Sequence, residues 1–179
     1  SVYLKLSGQG PSFLLESVTG GEQVARYSFI GVGPSRAFVL KDGTLQCYTA
    51  AGTPGTLYPT LTEDYQTRPV SDPLGALRQE FTRYRYRTIP GLPRFSGGLV
   101  GYWGYEMMRY FEPSVSLRPH PDLPDAILML ADSLVAFDHA YGRLLLIANG
   151  HLPEGNSNGA VHRAHAEAEA RLDAIQAHL

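Results

Sequence analysis

The chain has 179 residues, 44% hydrophobic and 18% charged, which is enough to bury the core of a globular domain. Fifteen Lys and Arg residues face seventeen Asp and Glu residues, and the net charge of -2 argues against a nucleic-acid partner. The one cysteine, Cys47, excludes an internal disulfide and favours a reducing, cytoplasmic compartment, and no apolar run approaches the roughly 18 residues of a membrane-spanning helix.

The first part of the chain is predicted to be rich in strands. Short apolar, β-branched or aromatic runs predict strands at 13–18, 27–32, 37–40 and 45–49. Gly20 and Gly21 predict a turn after the first run, and Asp42 and Gly43 predict a tight hairpin between the last two. Residues 50–71 hold several Thr, Pro and Gly residues without a period, so we expect a loop there.

A helix is predicted to begin at Asp72 and Pro73, with the aspartate as N-cap and the proline at the first helical position. Its apolar face is formed by residues spaced three or four apart, namely Leu74, Leu77, Phe81 and Tyr84. We expect it to end at Ile89-Pro90-Gly91. In that case the basic side chains of its last turns would suit the helix dipole: Arg83, Arg85 and Arg87.

The rest of the chain predicts more strands than helices. Strands are expected at 97–103, 126–129, 133–138 and 144–148, a short helix at 106–111, and a final helix from about Asn158. Strands that follow one another through short turns, with helices segregated from them, predict an α+β fold with largely antiparallel sheets packed with a few helices.

Two motifs allow a binding function or a structural one. The glycines at 97, 98, 101 and 104 could cradle a phosphate, but they lack the Lys-Ser/Thr ending of a P-loop. We interpret them as a crowded strand in which glycine avoids steric conflict. Residues 83–87 alternate arginine with tyrosine, as some nucleic-acid binders do. The net acidity and the predicted helix end favour helix capping instead.

Glu16 and Ser17 interrupt an otherwise apolar strand, where an unpaired carboxylate would be costly to bury. One interpretation is that both side chains point outward or satisfy local backbone groups. The other is a pocket in which Glu16 meets a ligand ammonium group and Ser17 supplies a hydrogen bond. Arg26 is then a candidate for bidentate binding of a carboxylate. Together these groups would suit a zwitterionic amino acid.

Three groups of motifs, in this order, resemble anthranilate synthase component I. The first is the run 13–18 followed by 20–22 and 26–31, and the second is 95–102 followed by 104–106 and 109–112. The third is 131–139 followed by 146–149. The family often has Gly where this chain has Ala25, and Asp where it has Glu106. The resemblance runs from Val2 to about Asn149.

This resemblance implies that residues 1–179 are the N-terminal regulatory domain, without the C-terminal domain that binds chorismate. The full enzyme would convert chorismate and ammonia to anthranilate and pyruvate, with Mg2+ and a glutamine amidotransferase subunit. It implies no catalytic residue, metal ligand or cofactor in this chain, which alone should be inactive. Tryptophan, as feedback effector, would meet two motifs: Leu15, Glu16 and Ser17, and Arg26, Tyr27 and Ser28.

Two alternatives remain open at this point. Within the same family, the chain could come from the large subunit of aminodeoxychorismate synthase, although the intact motifs at 15–17 and 26–31 favour anthranilate synthase. From a different class, it could be a stand-alone amino-acid-binding domain.

Overall fold

In a computed structural model, strands in two antiparallel sheets are flanked by helices. The structure describes residues 1–8, 10–16, 26–52, 56–63, 67–112, 114–153, 155 and 157–179. In these residues, the first sheet has four strands and the second has six. The predicted α+β class with antiparallel sheets is confirmed.

The strands of the first sheet are β1 (Ser12–Leu15), β2 (Tyr27–Val32), β9 (Ser133–Asp138) and β10 (Arg143–Ala148). Those of the second are β3 (Arg36–Lys41), β4 (Thr44–Ala51), β5 (Thr60–Glu63), β6 (Arg68–Pro69), β7 (Gly98–Trp103) and β8 (Ala126–Ala131). The first sheet has the strand order β1-β2-β9-β10, and the second has the order β5-β4-β3-β8-β7, with β6 paired to β4. The helices are α1 (Val2–Leu6), α2 (Pro73–Phe81), α3 (Met108–Phe111) and α4 (Asn158–His178), and a 3-10 turn, Tyr105–Met107, leads into α3.

One continuous stretch of chain joins the two sheets. Only Asp132 separates β8, which lies between β3 and β7, from β9, which lies between β2 and β10. The Asp132 side chain is buried and contacts His151 Nε2 at 3.0 Å, and its carbonyl accepts a hydrogen bond from the Asn149 N–H. The side-chain amide of Asn149 also donates to the carbonyl of Ser96, so the segment that leads into β7 is bound to the same residue.

Three apolar clusters make the core. One lies between the second sheet and α2, and includes Phe38, Leu40 and Leu77. Another lies between the first sheet and the helices α1 and α4, and includes Leu6, Val135 and Ile175. The third joins the two sheets and contains Leu134, Ala136, Phe29 and Val100 among others.

Most predicted elements are present. Apart from the end of α2, the structure differs from the prediction in three places. β1 ends at Leu15, and the rest of the predicted first strand, from Ser17, and the predicted turn at Gly20 and Gly21 lie outside the described residues. Residues 50–71 are not only loop, because β5 and β6 pair with β4. The helix α1 was not predicted, since five residues are too few to show a helical period.

The helix at Asp72 begins as predicted but ends early. The Asp72 side chain accepts a hydrogen bond from the Gly75 N–H, as expected of an N-cap. The helix ends at Phe81, so Arg83, Arg85 and Arg87 lie beyond it and the helix-dipole explanation of these arginines was wrong. Tertiary contacts of the tyrosines between them, described below, override the helical pattern.

The glycines of β7 allow close approach of a neighbouring strand, as predicted. Gly101 lies opposite Leu128, and a Cβ built at Gly101 would lie 1.8 Å from the carbonyl oxygen of Ile127. This oxygen belongs to the backbone of β8 and cannot rotate away. The hairpin between β3 and β4 has positive φ at both Asp42 (49°) and Gly43 (73°), as a two-residue type I′ turn requires.

We therefore expect Gly101→Ala to lower the free energy of unfolding by about 3 kcal/mol, the upper part of the range for overpacking. The added methyl group must push β7 away from β8. Urea unfolding of the purified chain measures the change.

Gly159→Ala is the matched control, because a Cβ at Gly159 would meet no atom closer than 3.5 Å. Alanine also favours a helix over glycine, so this variant should be no less stable than the parent chain. Equal stability of the two alanine variants would show that β7 is not held as described.

Candidate functional site

Most of the predicted site residues meet at one edge of the first sheet. Leu15 ends β1, while Tyr27 and Ser28 begin β2, next to the end of β9. Glu16 follows Leu15 directly and is exposed. Arg26 precedes β2, and its carbonyl accepts a hydrogen bond from the His139 N–H. We use the name sheet edge for this group of strand ends, which comprises the end of β1, the start of β2, the end of β9 and the start of β10.

The strand register divides the sheet edge between two faces. Tyr27 lies opposite Asp138, which lies opposite Arg143, so these three side chains share the face that also carries Leu15. Ser28 lies opposite Phe137, which lies opposite Leu144, on the other face. A ligand that contacted both sets would have to bind across the ends of the strands.

On the first face, the charge of Arg26 is already paired. Its Nε and Nη2 atoms donate to the two carboxylate oxygens of Asp138, each at 2.9 Å. Arg143 Nε contacts the same carboxylate at 3.3 Å. The Arg26 guanidinium also lies over the rings of Tyr27 and Tyr141, at 4.8 and 4.9 Å from their centroids. This cluster holds the start of β2 against the end of β9 and the start of β10.

Asp138 is fully buried, and its partners keep it ionised. Hydrogen bonds from Arg26 lower the pKa of the Asp138 carboxyl to about 2, against the opposing effect of burial, and Arg143 adds to the lowering. The same hydrogen bonds raise the pKa of Arg26. Because its Nε and Nη2 atoms are bound to Asp138, Arg26 holds the strands of the sheet edge in position. Its predicted contact with a ligand carboxylate stays a prediction.

The other face carries a hydrogen bond and exposed apolar side chains. Ser28 Oγ lies 2.8 Å from His139 Nε2. Around this pair, Leu14, Phe137 and Leu144 are each between 37% and 39% exposed and form an apolar surface on this face of the sheet. An apolar surface with hydroxyl and imidazole groups beside it can hold an aromatic ring and hydrogen-bond its polar substituents.

Sequence reasoning missed His139, Phe137 and Leu144 as site residues. Phe137 and His139 lie in one of the motif runs, but their proximity to Ser28 depends on a strand pairing between residues more than one hundred positions apart. Ser17, the remaining predicted residue, lies outside the described part of the chain.

The sheet edge is open. Two shallow depressions lie elsewhere in the described part of the chain, one beside Phe13 and one beside Arg171, and they include none of the predicted site residues. Among the residues that the structure describes, no group of three or more His, Cys, Asp or Glu side chains could hold a metal ion. Within the same residues, no helix is both long and apolar enough to cross a membrane.

The architecture defines an α+β protein built on two antiparallel sheets, and a solved structure shares this fold. Anthranilate synthase component I from Streptococcus pneumoniae superposes with a TM-score of 0.52, at 22% sequence identity, over 96% of this chain and 34% of that chain. No family model matches the chain.

Similarity to curated sequences is closer. The chain is 36% identical to anthranilate synthase component 1 of Pseudomonas aeruginosa over 98% of its length, 40% identical to that of Thermus thermophilus over 96%, and 42% identical to that of Pseudomonas putida over 80%. It spans only 34%, 31% and 28% of these relatives. The chain belongs to the anthranilate synthase component 1 family, as the motifs indicated, and corresponds to about a third of its members' length.

The Asp138 cluster predicts a defined pH dependence. Because the carboxyl pKa is about 2 when folded, below its ordinary value of 3.8, the ionised form stabilises the folded chain above pH 4. This contribution is lost as the pH falls towards 2. Asp138→Asn should therefore be less stable than the parent chain at neutral pH, and the difference should shrink on acidification. Urea unfolding at several pH values measures it.

Asp173→Asn is a suitable control, since Asp173 is exposed on α4 and pairs with no cation in the described part of the chain. It should leave the pH profile of the parent chain unchanged. A constant difference between Asp138→Asn and the parent from neutral to acidic pH would contradict the assignment.

Proposed function

We propose that this chain is the N-terminal regulatory domain of an anthranilate synthase component I and contributes part of a tryptophan feedback site at the sheet edge. The observation that carries the proposal is the meeting of Leu15, Glu16, Arg26, Tyr27 and Ser28, from two separate motifs, at one open edge. The parent enzyme would form anthranilate and pyruvate from chorismate and ammonia.

The chemistry of the sheet edge supports an aromatic amino acid as the ligand. Glu16 offers an exposed carboxylate to the ligand ammonium group, and Ser28 with His139 offers hydrogen-bonding atoms. Phe137 and Leu144, on the same face as Ser28, offer apolar surface to an indole ring. Leu15, on the opposite face, offers apolar surface at the strand end.

An open edge covers too little of a ligand to bind it tightly. Well-formed ligand sites bury most of the surface of their ligand, and at this edge Leu15, Glu16 and Phe137 are exposed. We propose that the rest of the parent enzyme supplies the other wall. Tryptophan would then inhibit if it bound more tightly to the inactive arrangement of the two parts than to the active one.

A second surface supports contact with the rest of such an enzyme. Tyr105, Met108 and Phe111 are spaced three apart and share one side of the 3-10 turn and α3, which we call the apolar helical face. They are 75%, 41% and 48% exposed, while Met107 and Tyr110 pack on the core. A face of this kind is typical of an interface.

The remaining functions are proposed for the parent enzyme rather than for this chain. A glutamine amidotransferase subunit would supply ammonia, and Mg2+ would assist with chorismate. Because the described residues form no cluster suited to a metal, we assign no Mg2+ ligand here. Cys47, the one cysteine, is buried and can form no internal disulfide, and with biosynthetic relatives this supports a cytoplasmic location.

Feedback inhibition of the full-length enzyme tests the proposal. Glu16→Ala and Ser17→Ala should each raise the tryptophan concentration for half-maximal inhibition roughly tenfold or more, because each removes a hydrogen bond to a charged ligand group. Turnover without tryptophan should stay close to that of the parent enzyme. Anthranilate fluorescence measures both quantities.

Glu167→Ala, which removes an exposed carboxylate on α4, should leave inhibition unchanged. Unaltered inhibition in both test variants would move the effector site elsewhere. An intact enzyme that makes no anthranilate would favour the aminodeoxychorismate synthase alternative. Micromolar binding of tryptophan by this chain alone would favour the stand-alone amino-acid-binding domain.

The apolar helical face predicts self-association of the isolated chain. Without the rest of the parent enzyme, this face should pair with a second copy at high protein concentration, and Tyr105→Ser with Met108→Gln should weaken the pairing. Sedimentation velocity over a range of concentrations measures it. Leu4→Gln with Val161→Gln changes exposed apolar residues elsewhere and should have no effect. A strictly monomeric chain would contradict the prediction.

A further inference from the structure

The segment that follows α2 carries a strong positive charge in a chain that is acidic overall. Residues 82–94 contain four arginines and no acidic residue, a net charge of +4, whereas the whole chain has -2. Residues 85–89 belong to neither helix nor strand, and all of them are exposed. We call residues 83–87 the arginine segment.

Two tyrosines anchor the arginine segment to the rest of the protein. Tyr84 packs edge-on against His151, with 5.5 Å between ring centroids, and hydrogen-bonds to Arg36. The Tyr86 hydroxyl hydrogen-bonds to the hydroxyl of Ser96, which is buried. Because both tyrosine hydroxyls are bound to the protein, the alternation of tyrosine with arginine holds the segment against the surface.

The acidic residue nearest to this segment is already fully paired. The buried carboxylate of Glu80 contacts Arg36 at 3.2 Å, Arg83 at 3.1 Å and Arg68 at 3.5 Å. Three arginines around one carboxylate leave no negative charge for the exposed arginines of the segment. Arg85 and Arg87 pair with no acidic residue in the part of the chain that the structure describes.

We propose that the arginine segment binds an acidic stretch of a partner protein. Exposed guanidinium groups held in a fixed segment suit carboxylates, which they can bind bidentately, and little conformational entropy of the backbone is lost on binding. A single-stranded nucleic acid suits the segment less well. It would need accessible aromatic faces for stacking, and the ring of Tyr84 is partly buried and packs against His151.

The test uses the full-length protein that carries this chain and a fluorescein-labelled octaglutamate peptide as the probe. Fluorescence anisotropy at low salt should show binding that weakens as salt is added. Arg85→Glu with Arg87→Glu should weaken peptide binding roughly tenfold or more, because two attractions become two repulsions.

Arg118→Glu with Arg163→Glu is the matched control, because it makes the same change in net charge at two exposed arginines elsewhere. This control variant should change the affinity for the peptide less than twofold, compared with the roughly tenfold loss expected for Arg85→Glu with Arg87→Glu. Thermal unfolding checks that each variant is folded. If the glutamate pair unfolds, Arg85→Gln with Arg87→Gln replaces it, with a smaller expected loss of affinity in the same direction.

Several results would overturn the proposal. Absence of peptide binding, or an equal loss in the two glutamate pairs, would show that the segment is not a specific docking surface. Tighter binding of a single-stranded oligodeoxythymidylate than of the peptide would make it a nucleic-acid surface. Self-association that disappears with the Arg85 and Arg87 substitutions would make it an interface between copies. None of these results bears on tryptophan inhibition, so the two proposals fail separately.

Discussion

The change of sheet at Asp132 is the constraint on which the rest of the structure depends. Because β8 and β9 are internal strands and only one residue separates them, the position of either sheet fixes that of the other. A loop at this point would let the sheets move independently. Instead, the buried Asp132 contacts His151, and Asn149 links its carbonyl to that of Ser96. The sheet edge inherits this rigidity, since β9 runs directly from Asp132 to Asp138.

The sheet edge combines a closed cluster of charges with an open surface. On one face, the Asp138 carboxylate is buried and satisfied by Arg26 and Arg143, so this cluster fixes where the strands end. On the other face, the side chains of Ser28 and His139 form a hydrogen bond that is exposed to solvent, and the neighbouring apolar side chains are also exposed. The first arrangement contributes stability and the second leaves groups for a ligand. The sequence alone could not show that the charge of Arg26 is paired, because Asp138 is 112 residues away.

Patterns of local origin could be predicted from the sequence. The hairpin at Asp42 and Gly43, the N-cap at Asp72 and the crowded strand around Gly101 each depend on residues that are close in the chain or on the size of one side chain. The end of α2 could not be predicted, because the helical spacing of apolar residues continues to Tyr84. The segment leaves the helix because Tyr84 contacts His151 and Tyr86 contacts Ser96. For the same reason β5 and β6 were missed: their short sequences become strands only by pairing with β4. The two motifs of the candidate site were predicted, but their division between two faces follows from strand register.

The three apolar clusters explain why residues of the candidate site contribute little to the stability of this fold. Leu15, Glu16 and Ser28 belong to none of the three buried clusters, so substitutions there remove little apolar burial. Arg85 and Arg87 are likewise exposed, and their neighbours Tyr84 and Tyr86 rather than the arginines hold the segment in place. By contrast, Asp138 and Glu80 are buried carboxylates whose loss would leave arginines without partners, and loss of the buried Asp132 carboxylate would remove its contact with His151. The acidic residues of the interior therefore hold the architecture together, while the exposed polar groups at the sheet edge and in the arginine segment can be substituted with little effect on it.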